Sequence, residues 1–515
     1  MAWARGVAGK LRRGPGTKES RRVNPSLNPS LFQVNARLWL SALSRGSGRA
    51  ATLDEVPDTE LDRLSELGFD LVYLQGAWQT GAAGREVALG DRSWREGLGE
   101  VLPDLVDDDV CGSCYAITGY EVASALGGEP ALRRFRGRLR ERGLRLILDF
   151  VPNHTALDHP WLQSHPEFYI HGTEEDLERQ PGNYWRAEGP DGAGVVLAHG
   201  RDPYFPAWPD TLQLDYGNPA LQEAMLGELS KVAGMCDGAR CDMAMLVLPD
   251  VFERTWAVAA EPFWPRAIAM VREKWPEFLT LAEVYWDLEW ELQQQGFEFT
   301  YDKHLYDCLR DGRGRLVRDH LRAAVSFQRR CVRFLENHDE SRAAAVFSPD
   351  MCRAAAVIAF LCPGLHLFEA GQVEGAKARV PVYVCRAPVE AVDDDLRGFY
   401  GELMESVRDP VAREGAWRLL DPAPAWEGNW TWDCFVAFTL EGADGRRLIV
   451  AVNYSGGQSQ CYLPLPFPDL AGGRWRLDDH LGKACYDRDG DELLSPGLYL
   501  DVPAWAFHVF ELVPN

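Results

Sequence analysis

The chain has 515 residues, more than one simple hydrophobic core can hold, so two or three domains are expected, one of them a large barrel. Its 77 acidic residues outweigh 54 basic ones to give a net charge of -23, which repels nucleic acid and anionic membrane surfaces and favours a neutral or cationic partner. No apolar run reaches the roughly 18 to 20 residues of a membrane-spanning helix; the stretch AAAVIAFLC at 354–362 stops at Pro363.

Eighteen tryptophans and 16 tyrosines supply flat rings that stack on the apolar faces of sugars and of many other ligands. Twelve cysteines scattered from Cys111 to Cys485 lack the dense spacing of a secreted disulfide framework, so reduced thiols and a cytoplasmic location are expected. Cys111 and Cys114 form one CxxC, a weak metal signal without a second pair. The first 22 residues are basic and lack the apolar core of a secretory signal. They read as a disordered tail or an organelle address, within an N-terminal extension set at residues 1–30. The sequons at Asn153, Asn429 and Asn453 carry little meaning without a secretory route.

From about Phe32, short apolar runs alternate with amphipathic segments. Strands are predicted at 32–40, 69–74, 144–151, 239–245, 278–286, FEFTY, 331–339 and 364–371. Helices fall between them, among them TELDRLSELG, ALRRFRGRLRERG, NPALQEAMLGELSKVAG, PFWPRAIAMVREKW, HLRAAVSFQ and MCRAAAVIAFL. Strand, helix, strand in repetition implies parallel pairing with right-handed crossovers, and eight such units close into a (β/α)8 barrel with its chemistry at the C-terminal strand ends. The barrel is placed at 31–154 and 213–408. Residues 155–212, rich in Pro, Gly, His and Trp, form an inserted domain after the third strand. Residues 409–515 lose the helical pattern and read as an all-β sandwich.

Polar residues interrupt these apolar strands late in their length. The third strand runs out through Asp149 into Asn153 and His154, the fourth carries Arg240 and Asp242, the fifth Glu283, and the seventh ends in Asn337, His338 and Asp339. Arg240 and Asp242, two apart on a strand, project from one side. Seen alone, the pair reads as an ordinary Arg/Asp salt bridge at a strand end. Burying carboxylates on several strands at one level is costly, however, unless a site requires them. Two carboxylates converging beside a guanidinium is what glycoside hydrolysis needs, one ionised to attack the anomeric carbon and one protonated to release the leaving oxygen. The arginine is expected to hold Asp242 ionised, and the apolar, aromatic surroundings of Glu283 to raise its pKa.

These motifs make the resemblance specific. LDFVPNH (148–154), GARCD (238–242), LAEV (281–284) and FLENHD (334–339) resemble, in order and spacing, the four motifs of the α-amylase superfamily, glycoside hydrolase family 13. The resemblance spans nearly the whole chain. It implies Asp242 as nucleophile, Glu283 as general acid and base, and Asp339 as the third carboxylate. His154 and His338 are implied to bind the donor sugar, with Tyr115 of YAITGY stacking on it and Arg240 beside the nucleophile. The reaction implied is retaining hydrolysis of α-glucosides such as malto-oligosaccharides through a covalent glycosyl-enzyme.

A carbohydrate is thus the expected partner. No cofactor is expected, and of the family's structural calcium site Asn153 is the single suggestive ligand. The chain departs from the family pattern at Met245 and Leu246, where a lysine and a histidine often stand, at Gly119 in place of an aspartate, and in LQGAWQTG, which lacks the usual proline. A transglycosidase, phosphorylase or isomerase of the superfamily shares every motif quoted and stays open. A non-catalytic sugar-binding member is a further alternative, disfavoured because all three carboxylates are kept.

Overall fold

A computed structural model of the chain describes residues 26–189, 192 and 194–515. Most of the basic N-terminal segment lies outside these residues. Residues 26–30, expected in the extension, are instead docked: Asn28 is buried, its Nδ2 donating to Ala412 O at 2.9 Å and its Oδ1 accepting Gly364 N–H at 3.0 Å.

Eight parallel strands close the barrel: β1 (Ser30–Asn35), β2 (Leu71–Gln75), β3 (Arg145–Phe150), β4 (Gly238–Cys241), β5 (Leu279–Ala282), β6 (Phe299–Tyr301), β7 (Cys331–Arg333) and β8 (Leu365–Glu369). Each pairs with its sequence neighbours, and β1 meets β8. Strands such as β2, LVYLQ, are buried along their whole length, as expected where helices cover one face and packed side chains the other.

Several expected strands end early, and polar side chains or turns explain it. The segment read as a strand over 32–40 stops at Asn35, whose side chain accepts the Arg37 and Leu38 amides and so starts a helix at Ala36–Ser47. The strand read over 239–245 ends at Cys241, because Met243 turns left-handed (φ 44°) and Ala244–Val247 coils into a 3-10 turn. The strand read over 331–339 is only three residues long, and HLRAAVSFQ divides between helices Gly314–Leu321 and Val325–Gln328.

Between β3 and β4 the chain leaves the barrel and forms two small antiparallel pairs, His154–Ala156 with Thr211–Gln213 and Tyr184–Glu188 with Gly194–Ala198. The connection after β2 is also long, with the pair Trp78–Thr80 and Ile117–Val122 and helices Ala82–Gly90 and Arg92–Val101. A small core of Ala88, Leu98, Leu102, Val110 and Val384 joins it to the connection after β8.

Helices do not vanish at 409, since Pro410–Glu414 is a short one, but beyond it strands dominate. Six strands form one antiparallel sheet, with Phe435–Glu441, Arg447–Asn453 and Phe507–Pro514 adjacent at its middle. Period-two alternation gives this sheet two apolar faces. Phe435, Ala437, Ile449 and Ala451 pack with Cys461, Leu463, Leu498 and Leu500 of a second, two-stranded sheet. Val436, Phe438, Leu448 and Val450 point the other way and merge with the barrel core. Among the described residues no helix is long and apolar enough to cross a membrane. The sequon asparagines Asn153, Asn429 and Asn453 are all buried.

Candidate active site at the C-terminal ends of the barrel strands

Arg240 organises the site. In β4 it pairs in register with Asp149 of β3, and its guanidinium is fully buried. Nη1 lies 2.5 Å from Asp242 Oδ1 and 3.6 Å from Asp149 Oδ1, while Nη2 lies 2.8 Å from Glu283 Oε2. The Tyr115 and Tyr301 rings flank the cation at 5.2 and 5.9 Å. Burial alone would lower its pKa, but Glu283 and the other anionic neighbours carry it well above the usual arginine value, so the site has a permanent cation at its base.

Asp149 positions that cation from below. It accepts the Tyr73 hydroxyl at 2.5 Å and the Gly76 amide at 3.1 Å. Gly76 is left-handed (φ 74°), which turns its N–H onto the carboxylate, and an added Cβ would come within 3.1 Å of Cys114 Cβ. Burial raises the Asp149 pKa against the pull of Arg240.

Asp242 stands one residue beyond β4, its amide bonded to Phe150 O at 2.8 Å. The left-handed turn at Met243 aims the next amide at Glu283 Oε2, 2.7 Å away, and Ala244 N donates to the Glu283 backbone carbonyl at 3.0 Å. A non-glycine residue with positive φ is a strained state that its surroundings must enforce, and such states cluster at functional sites. Glu283 directly follows β5, and its Oε1 accepts the Tyr285 hydroxyl at 2.9 Å. Burial lifts its pKa to about 7; Arg240 opposes the rise, while Asp242 and Asp339 reinforce it.

After β7, His338 and Asp339 stand at the mouth. His338 Nε2 lies 2.7 Å from Tyr115 Oη and 3.0 Å from Asp339 Oδ2. Burial disfavours its charge, but the Asp339 carboxylate more than offsets this and raises the His338 pKa. In return, although burial raises a carboxyl pKa, His338 holds Asp339 well below the usual carboxylate range. His338 Nδ1 faces the Gln33 amide at 3.0 Å; turning that amide gives its Oε1, which has no other partner, to the protonated Nδ1. Tyr115 Oη also accepts from Gln75 Nε2 at 2.9 Å. His154 is buried with its ring 5.2 Å from Trp208 of the inserted segment, and burial lowers its pKa despite the nearby Asp242, which keeps it neutral.

The fold therefore brings together all seven residues singled out in the sequence: Asp242, Glu283, Asp339, Tyr115, His154, Arg240 and His338. Sequence reasoning passed over Gln33, Tyr73, Tyr285 and Tyr301, and set Asp149 aside. For Gln33, Tyr73, Asp149 and Tyr301 the signal was a polar or hydroxylated residue within an otherwise apolar barrel strand; Tyr285, in the loop after β5, carried none.

Met245 and Leu246, the departures from the family pattern after Asp242, are both buried in the 3-10 turn Ala244–Val247. Three residues after Glu283, Trp286 is left-handed (φ 65°), like Asp287 after it (φ 60°). The Trp286 ring meets Tyr204 of the inserted segment edge-on at 4.9 Å, and Tyr204 is largely exposed.

The residues around Asn153 do not fit a calcium site. Gln213 Nε2 donates to Asn153 Oδ1 and to its backbone carbonyl, both at 3.0 Å, and Gln213 Oε1 accepts Asn153 Nδ2 at 3.2 Å. A buried amide thus uses the oxygens that would face a cation. Among the described residues no group of three or more His, Cys, Asp or Glu is arranged to hold a metal, and Cys111 of the CxxC accepts from Arg37 Nη1 at 3.1 Å.

Comparison with known proteins bears on the family and the fold. The model of the α-amylase catalytic domain matches residues 58–417. The α-amylase MalA of Haloarcula japonica is 26% identical over 320 residues, which is 60% of this chain and 43% of that protein. A trehalose synthase of a Pimelobacter species is 30% identical over 161 residues, 26% of each. The match thus spans less than half the length of either relative. The noncanonic maltogenic α-amylase AmyB of Thermotoga neapolitana shares the fold with a TM-score of 0.67 at 19% identity, covering 95% of this chain and 99% of that one. With its closed eight-stranded barrel and the family model matched over most of its length, the chain belongs to the α-amylase family, glycoside hydrolase family 13.

Proposed function

We propose that the protein is a retaining α-glycosidase that cleaves α-glucosidic bonds of malto-oligosaccharides or related α-glucosides. One observation carries the reading: a single buried guanidinium touches both Asp242 and Glu283, and burial lifts the Glu283 pKa to about 7. Asp242 attacks the anomeric carbon while the Glu283 proton passes to the leaving oxygen, leaving a glycosyl ester on Asp242. Water then gives its proton to Glu283 and attacks the same carbon, freeing Asp242. Asp339 and His338 grip hydroxyls of the donor sugar, and neutral His154 and Tyr115 complete its pocket.

Converting Asp242 to Asn is expected to lower kcat on a malto-oligosaccharide by about 10^3-fold or more while circular dichroism stays unchanged. Turnover within tenfold of the wild type would overturn the assignment. A second reading, glycosyl transfer to a sugar or phosphate, is supported by the likeness to a trehalose synthase as well as to α-amylases. Chromatography of products from one α-glucoside, with and without phosphate or a second sugar, separates the two.

A further inference from the structure

The two oxygens of Glu283 are not equivalent. Oε2 faces the Arg240 guanidinium and accepts the Met243 amide, two groups that each present hydrogen to it. A proton on Oε2 would be repelled by both, so the acidic proton belongs on Oε1. The partner of Oε1 is the Tyr285 hydroxyl at 2.9 Å, two residues along the same loop. The other groups facing this carboxyl are Asp242, Tyr301, His338 and Asp339.

We infer that Tyr285 is a positioning residue for acid catalysis, whose hydroxyl fixes the proton-bearing oxygen of Glu283 and stabilises the carboxylate left when that proton departs. The inference rests on the reading of Glu283 as acid and base. As the glycosidic C–O bond breaks, the Oε1 proton moves to the leaving oxygen and the electron pair of the O–H bond stays on Oε1. The phenol then donates its full hydrogen bond to a new negative charge. Burial beside Glu283 raises the Tyr285 pKa well above the usual tyrosine range, so it remains a neutral donor throughout. A donor to the ionised form favours ionisation, so Tyr285 holds the Glu283 pKa below the value burial alone would give. In the second step it makes Glu283 a gentler base, so the tyrosine favours bond cleavage over the release of the glycosyl ester.

The test is Tyr285→Phe, which keeps the ring and removes only the hydroxyl. On maltotriose, whose leaving group requires a proton, kcat/KM is expected to fall about tenfold to a hundredfold, with the alkaline limb of its pH profile moving upward. On α-maltosyl fluoride, which departs without one, it stays within about twofold. Infrared difference titration, with Glu283→Gln as the subtraction that identifies the band, is expected to place the Glu283 carboxyl at higher pH in Tyr285→Phe. An equal loss on both substrates, or an unmoved carboxyl titration, overturns the inference. If instead Glu283→Gln cleaves maltotriose as well as the wild type does, the role of Glu283 falls, while the titration still decides whether Tyr285 tunes it.

Discussion

At the scale of single residues, one buried arginine touches two carboxylates, Asp242 and Glu283. Glu283 is surrounded and desolvated, which carries its pKa from 4.5 to about 7. By linkage, a carboxyl whose pKa rises on folding costs stability as pH climbs through that window, because the folded state keeps a proton that the unfolded state has released. The stabilising side of the effect is full below pH 4.5 and is lost above about 7. Roughly 3 kcal/mol is involved for one such group. Glu283→Gln removes the titration, so the variant is expected to melt above the wild type at pH 8 and to lose that margin near pH 4.5. An equal difference in Tm at both pH values would refute this. The three carboxylates were legible in the sequence because each stands beside residues that form a known motif. The roles of Tyr73 and Asp149 were not, since they depend on a contact made across strands, and that of Tyr285 was not, since it depends on how the loop after β5 turns.

At the scale of elements, the order of strands and helices followed from hydrophobic periodicity, while strand ends did not. Asn35 and Met243 end their strands by means that periodicity cannot see, a side-chain cap and a left-handed turn. The same holds where the inserted segment rejoins the barrel. There Gln213 and Asn153 exchange hydrogen bonds through both their amides. Gln213→Leu leaves the buried Asn153 Oδ1 without its donor and is expected to cost roughly 1 to 3 kcal/mol, read as a lower denaturant midpoint with an unchanged m-value. In the unaltered protein, EDTA is expected to leave Tm where it was. A fall of several degrees that added calcium reverses would show an ion at this seam.

At the scale of the whole molecule, the central C-terminal sheet is apolar on both faces, one against its partner sheet and one against the barrel. Tyr454 Oη donates to Leu309 O at 2.7 Å, and Arg318 Nη1 donates to Phe435 O at 2.9 Å, so polar contacts lie along the same boundary. A chain ending near residue 415 would expose Val436, Phe438, Leu448 and Val450's partners on the barrel and is expected to aggregate on expression. Recovery of a monodisperse truncated barrel by size-exclusion chromatography would contradict this. The sequence pattern announced a β-rich C-terminal part but not its attachment, because alternation tells that a strand has an inner face without telling which neighbour covers it. The amide pair at the root of the inserted segment has its own consequence at this scale. An ion holding barrel and insert together can be diluted away or captured by a competitor, so the grip varies with the surrounding medium. Gln213 and Asn153 are both part of the chain, and a fastening built from them has no dissociation constant.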